Sequence, residues 1–307
     1  MKPKLIVIIG PTAVGKTETS IRLAKHFNGE VISGDSMQVY KEMDIGTAKI
    51  KPEETAGVPH HLIDVLTPDE SYSAADFRTQ ATELIEDIVS RGKVPMIVGG
   101  TGMYIQGLLY NYQFSEIGED ESVRQKYEAY EAEHGSEALH KLLASKDADR
   151  AATIHPNNIR KVIRALEIIE LTGEKIDQSA EELKESPFDF ILIGLTMERE
   201  ALYTRINERC ELMMREGLLK EATRLYESGY ENAQSMQAIG YKELLPAIRG
   251  EEDIKTSLEE LKKQSRRFAK RQLTWFRNKM PVTWFDMSHS RDERIKEMIE
   301  FIEGKWA

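Results

Sequence analysis

Cysteine is almost absent: 307 residues hold only Cys210. That excludes an internal disulfide and a cysteine-rich zinc site. No apolar run approaches the roughly 20 residues needed to span a bilayer. Lys2 and Lys4 precede only a short apolar run, residues 5–9, which stops at Gly10. No secretory signal is therefore expected, and these absences suit a cytoplasmic protein with no membrane partner. Positive charge is also short: 42 Lys and Arg against 52 Asp and Glu leave a net charge of −10. Taken alone, that balance disfavours a nucleic-acid partner. Apolar residues make up 40% of the chain, enough to bury a sizeable core.

The distribution of charge says more than its sum. Residues 255–279 carry nine Lys or Arg and two acids, a local excess of seven positive charges, so the remainder carries −17. Either this is a solvated helix face, or it meets a localised anionic partner.

The hydrophobic pattern predicts an α/β fold. Residues 5–9 read as a buried strand, and residues 16–27 as a helix with Gly29 just past its end. Further strands are expected at 30–33, 62–66 and 94–98. Ser73 can cap a helix running from 74 to about 91, where Gly92 stops it. This alternation predicts a parallel sheet flanked by helices, a phosphate-loop kinase-like core. From residue 113 to 185 the pattern turns helical. Ile159, Val162, Ile163, Leu166 and Ile169 recur at three- and four-residue spacing, with Gly173 as the stop. A strand returns at 190–195, helices follow from about Glu198, and a late strand is expected at 282–285. The expected division is a core of residues 1–112 and 189–307, including a helical C-terminal region, with an all-helical domain inserted at 113–188.

Gly10-Pro11-Thr12-Ala13-Val14-Gly15-Lys16-Thr17 fits the pattern G-x-x-x-x-G-K-[ST], directly after a strand and before a helix. In such a loop backbone N–H groups and a helix N-terminus cradle a phosphate. Lys16 adds a full charge, and Thr17 a hydroxyl for Mg²⁺. The motif implies a diphosphate or a triphosphate without choosing between them. A phosphate-loop NTPase also carries a strand-end Asp for its Mg²⁺, and the strand at 94–98 ends instead in Gly99-Gly100-Thr101-Gly102. The only acid at a core strand end near the loop is Asp35, after the strand at 30–33. Ligands of doubly wound sheets sit at the carboxyl ends of strands, so Asp35 and Thr101 should border the crevice that holds Lys16. Asp35 there reads as a base for a nucleophile, as a metal partner, or as a simple turn cap.

At these residues a family resemblance enters. The stretch Ser33-Gly34-Asp35-Ser36-Met37-Gln38-Val39-Tyr40-Lys41-Glu42-Met43-Asp44-Ile45-Gly46-Thr47-Ala48-Lys49 resembles the segment after the phosphate loop in tRNA dimethylallyltransferases, also called tRNA isopentenyltransferases. Tyr72-Ser73-Ala74-Ala75-Asp76-Phe77 and Val98-Gly99-Gly100-Thr101-Gly102-Met103-Tyr104 are similar too. So are His155-Pro156-Asn157, Arg164-Ala165-Leu166-Glu167, Ile239-Gly240-Tyr241-Lys242 and Lys270-Arg271-Gln272-Leu273-Thr274-Trp275. The resemblance spans nearly the whole chain.

The resemblance implies transfer of a dimethylallyl group to the exocyclic N6 amine of the adenosine just 3′ of the tRNA anticodon. It implies that Asp35 is the general base, with Thr101 and Lys16 as its catalytic companions. The loop from Gly10 to Thr17 would hold the diphosphate of dimethylallyl diphosphate rather than ATP, and Arg209 would join it. Asp35, Ser36, Met37, Gln38 and Thr101 would contact the target nucleotide. Arg124, Arg160, Lys161, Val162, Ile163 and Arg164 match positions that grip the anticodon stem-loop, as do Gln237, Ala238, Ile239, Gly240, Tyr241 and Lys242. Without cysteines for the C-terminal zinc finger of eukaryotic members, the sequence is expected to be of the bacterial type. A monomer is expected, with Mg²⁺ as cofactor.

The chemistry fits beside the resemblance. The leaving diphosphate must be neutralised, the amine placed in line with the allylic carbon, and a proton removed as the bond forms. The target base must leave its stack to be reached. On the basic helix, Arg266, Lys270 and Arg271 are expected to meet RNA phosphates, while Leu261, Phe268, Trp275 and Phe276 read as core contacts. His60-His61 reads as a turn or core pair rather than a metal site. Two rival readings stand: an ATP-dependent small-molecule kinase with Asp35 as base, and a non-enzymatic RNA-binding protein whose loop senses nucleotide.

Overall fold

The computed structural model describes residues 2–110, 120–173 and 185–307. Strand β1 (Lys4–Ile9) places Leu5, Ile6, Val7, Ile8 and Ile9 fully out of water; each such burial contributes about 1.5–3 kcal/mol. Helix α1 (Lys16–Phe27) ends at Asn28 in the left-handed conformation (φ 51°), which Asn tolerates. Then come β2 (Gly29–Gly34), β3 (His60–His61), α2 (Ala74–Ser90), β4 (Val94–Gly99) and α3 (Gly102–Leu109). A reciprocal cap starts α2: Ser73 N–H donates to the Asp76 carboxylate at 2.9 Å, and Asp76 N–H to Ser73 Oγ at 3.2 Å.

Four helices follow: α4 (Glu121–His134), α5 (Ser136–Lys146), α6 (Ala148–Thr153) and α7 (Ile159–Thr172). They share a core that includes Tyr127, Leu139, Leu143, Val162, Ile163 and Leu166. Gly173 closes α7 with φ 70°. Among the described residues this stretch has no strand. Residues 113–119 and 174–184, also expected in the helical insertion, lie outside the described residues. The chain then forms β5 (Asp189–Thr196), α8 (Arg199–Glu216), α9 (Leu218–Glu227), α10 (Leu245–Ile248), α11 (Ile254–Lys279), β6 (Thr283–Asp286) and α12 (Arg291–Trp306). Residues 1–111 with 186–307 make one compact unit, and residues 112–185 another.

The sheet runs β3-β2-β4-β1-β5-β6, and every neighbouring pair is parallel. Gly99 pairs with Ile9 on one side and Gly34 on the other. The carboxyl ends of β1, β2 and β4 are therefore level, and the loops leaving them share one edge. The chain order reverses across these central strands, which is where ligands of such sheets bind.

One expected strand is corrected. Residues 62–66 are not extended: only His60 and His61 pair with β2, because Leu62 (φ 58°) and Asp64 (φ 57°) turn into the left-handed region. That geometry breaks a ladder. Pairing reappears only as an isolated bridge between Tyr40 and Leu66. His61 Nε2 contacts the buried Glu30 at 2.8 Å and His60 Nδ1 the Val58 carbonyl at 2.9 Å.

Candidate active site

The phosphate loop leaves β1 and feeds α1, so its amides and the helix N-terminus face the carboxyl edge of the sheet. Thr12, Ala13, Gly15, Lys16 and Thr17 line a cavity of about 190 Å³. Gly10, Pro11 and Val14 are buried behind it. Lys16 Nζ donates to the carbonyls of Gly10 (3.0 Å) and Pro11 (2.9 Å). Burial pushes the Lys16 ammonium down to about 8; the Asp35 carboxylate partly offsets this, and the Arg209 charge lowers it further. Thr17 Oγ1 makes no hydrogen bond among the described residues. Ala13 holds a left-handed conformation (φ 66°), and its carbonyl accepts Nε–H of Arg205 at 2.9 Å. Arg205 thus steadies the loop, and both Arg205 and Arg209 line the cavity.

Asp35 follows β2. Its Oδ1 accepts the Met37 amide at 2.9 Å, and Oδ2 takes no hydrogen bond among the described residues. Thr101, after β4, accepts the Ser36 amide on Oγ1 at 3.1 Å and donates to Ser36 Oγ at 3.4 Å. Gln38 is fixed at both ends of its amide: Ser33 Oγ–H donates to Oε1 at 2.9 Å, and Nε2 donates to the Thr47 carbonyl at 3.2 Å. Asp35, Ser36, Met37 and Thr101 line a second cavity of about 270 Å³, with Gln237, Ala238, Ile239, Gly240, Lys242 and Arg271. Thr12, Asp35, Thr47, Arg209 and Phe268 belong to the walls of both cavities. The first cavity is walled by the phosphate loop, and the second is the more apolar of the two. A carboxylate and a guanidinium stand where they meet.

Gln272 on α11 ties the edge together. Its Oε1 accepts the Thr12 amide at 3.0 Å and its Nε2 donates to the Gly100 carbonyl at 3.1 Å. A Cβ on Gly100 would lie 2.1 Å from Gln272 Nε2, so only glycine allows this approach. Sequence reasoning gave Gln272 no role. A signal was present: Gln272 interrupts the stripe Leu261, Ser265, Ala269, Phe276, which is the buried face of α11.

Other expected site residues divide. Phe268 is no core residue; it lines both cavities, with the Arg271 guanidinium 5.7 Å from its ring centre. Tyr241 is fully buried, so its side chain cannot reach a ligand. Val162 and Ile163 are 0% and 5% exposed and belong to the helical unit's core, which leaves Arg160 and Lys161 as the exposed members of that run. Arg164 and Arg124 are not free cations: both donate to Glu167, at 2.6 and 3.2 Å, and Glu167 is wholly buried. A buried carboxylate needs such partners. Arg266 donates to Asn207 on α8 at 2.6 Å, while Lys270 and Arg271 are exposed.

The family model described as IPP transferase matches residues 38–279. The chain belongs to the IPP transferase family. It is 54% identical to the tRNA dimethylallyltransferase of Halalkalibacterium halodurans over 99% of this chain and 98% of that protein. The tRNA dimethylallyltransferase of Bacillus subtilis is 52% identical over the same shares. Among solved structures, the tRNA isopentenylpyrophosphate transferase of Bacillus halodurans matches with a TM-score of 0.76 at 53% identity, covering 99% of this chain and 97% of that one. A eukaryotic dimethylallyltransferase acting on tRNA matches with a TM-score of 0.83 at 33% identity, covering 98% and 80%. These relatives favour an IPP transferase over a kinase, as does β4, which ends at Gly99 with no acid.

Proposed function

We propose that this IPP transferase moves a dimethylallyl group from dimethylallyl diphosphate to the N6 amine of the adenosine 3′ of a tRNA anticodon. The observation that carries the reading is Asp35 on the wall common to the phosphate-loop cavity and the more apolar one. The diphosphate takes the first cavity, against the loop amides, Lys16 and Arg209. The adenine takes the second, beside Asp35, Ser36, Met37 and Thr101, while Gln38 lines the first. The N6 lone pair forms a bond to the allylic C1 as the C1–O bond breaks and diphosphate leaves with its electron pair. The N6 proton passes to Asp35. Thr17 fits Mg²⁺, since its free hydroxyl is a hard oxygen donor at the loop, and the remaining ligands would be diphosphate oxygens and water. Bound Mg²⁺ supplies further positive charge to the leaving group.

The test is direct. The protein is mixed with Mg²⁺, tRNA and either dimethylallyl diphosphate or ATP, and the RNA is weighed. A gain of one five-carbon unit with the isoprenoid alone supports the reading. Phosphorylated product with ATP would replace it with the kinase.

Two further outcomes follow. Arg can pair bidentately with diphosphate oxygens, where Lys acts as a point charge. Arg209→Lys is expected to raise KM for dimethylallyl diphosphate about tenfold, the worth of one charge-assisted hydrogen bond, and to spare KM for tRNA. Unaltered constants in a folded variant would remove Arg209 from the diphosphate site. For tRNA, the exposed cations Lys270, Arg271, Arg160 and Lys161 are proposed to pair with phosphates. Replacing Lys270 and Arg271 should make the slope of log K against log salt shallower by about 0.7–0.9 for each phosphate left without its cation. A slope unchanged from wild type would return them to an ordinary solvated face.

A further inference from the structure

Glu221 lies on α9 and lines neither cavity, yet its carboxylate gathers three parts of the chain. The backbone N–H groups of Asp44, Ile45 and Gly46 all donate to it at 3.0–3.1 Å, and Tyr241 Oη donates to its Oε1 at 2.7 Å. It is 8% exposed and makes no ion pair among the described residues. A buried carboxylate without a cation is costly unless donors surround it. Here three successive amides form a concave anion nest and the hydroxyl completes it. The nest holds an internal anion, so its product is a fixed loop shape.

That shape bears on the second cavity. Gly46 and Thr47, at the end of the nest, line it. Tyr241 occupies the place of a Gly46 side chain: a Cβ there would lie 2.4 Å from the Tyr241 ring. Tyr241 also belongs to the stretch 237–242, whose other members form the facing wall. One carboxylate therefore sets the spacing of two walls from behind them.

We infer that Glu221, with Tyr241, is a positioning residue for the acceptor nucleotide. This rests on the reading that the second cavity receives the adenine. In Glu221→Gln the amide NH₂ meets backbone N–H groups, donor against donor, so the nest opens and the walls shift. A displacement near 1 Å can lower a rate about 100-fold. The expected result is a fall in kcat/KM for tRNA of about ten- to 100-fold, mostly in kcat, with the dissociation constant for inorganic diphosphate unchanged by calorimetry. Tyr241→Phe, which keeps the carboxylate and its three amides, should move the same constants the same way by less. If Glu221→Gln fails to fold, Tyr241→Phe decides. Folded variants with wild-type transfer constants would overturn the inference, as would an equal loss of diphosphate affinity, the mark of general loosening. Failure of the wild type to add a five-carbon unit to tRNA would instead overturn the reading beneath it.

Discussion

Asp35→Asn is expected to bind both substrates and to transfer about 10²–10⁴ times more slowly, the usual cost of losing a general base. The amide is nearly isosteric, and its oxygen can still accept the Met37 amide now held at 2.9 Å. The segment after β2 should keep its shape. What disappears is the proton acceptor on the wall that the two cavities share. Adenine N6 is a poor nucleophile because its lone pair is delocalised, so bond formation depends on removing the proton. The carboxylate also offsets the charges of Lys16 and Arg209. Diphosphate affinity in the variant should therefore stay level or rise. The measurement is single-turnover transfer with both substrates saturating, beside calorimetry with inorganic diphosphate. Near-normal transfer would remove Asp35 from the proton step.

Lys16→Ala should lower kcat/KM for dimethylallyl diphosphate by about 10²–10³, the range for deleting one donor aimed at developing negative charge. In the proposed reaction the ammonium would serve the bound diphosphate and, more strongly, the departing one. tRNA affinity should hardly change, and loss of tRNA binding with transfer retained would contradict the assignment. A pH signature accompanies it. Burial holds Lys16 down to about 8, so the free protein loses this charge as pH rises through that value. Affinity for inorganic diphosphate should fall above about pH 8, and binding there should take up a proton as the anion restores the ammonium. Lys16→Ala should lack that inflection. Its persistence in the variant would assign the pH dependence to another group.

Much of the core was legible because its signals are local. The run 5–9, the eight-residue loop and the helix behind it are contiguous, and their order alone aims backbone amides at the sheet edge. Ser73 with Asp76, and Gly173 after Thr172, likewise act within a few residues of the helix they bound. Residues 62–66 misled because an apolar run can read as a strand whatever its dihedrals, and the left-handed turns at Leu62 and Asp64 leave no mark in that pattern. Val162 and Ile163 sat inside a motif match, but the same helical spacing put them in a core. Tyr241 was drawn the same way, and a fully buried ring cannot grip RNA.

The sequence by itself determined the phosphate loop, the strand-and-helix order, the acid after β2 and the family. Each depends on neighbouring residues or on a contiguous pattern. Tertiary structure alone decided which side chains share a wall and which hold others in place. Gln272 meets Thr12 across 260 positions, Arg205 meets Ala13 across 192, and Glu221 meets Gly46 across 175. No periodicity encodes such pairings, because they exist only once α8, α9 and α11 pack where they do. In the helical unit, α4 against α7 made Arg124 a partner of the buried Glu167, and in the core the packing left Arg209 and Asp35 lining the cavities. A cation's role is set by the carboxylates and voids that folding brings beside it, and those come from distant parts of the chain.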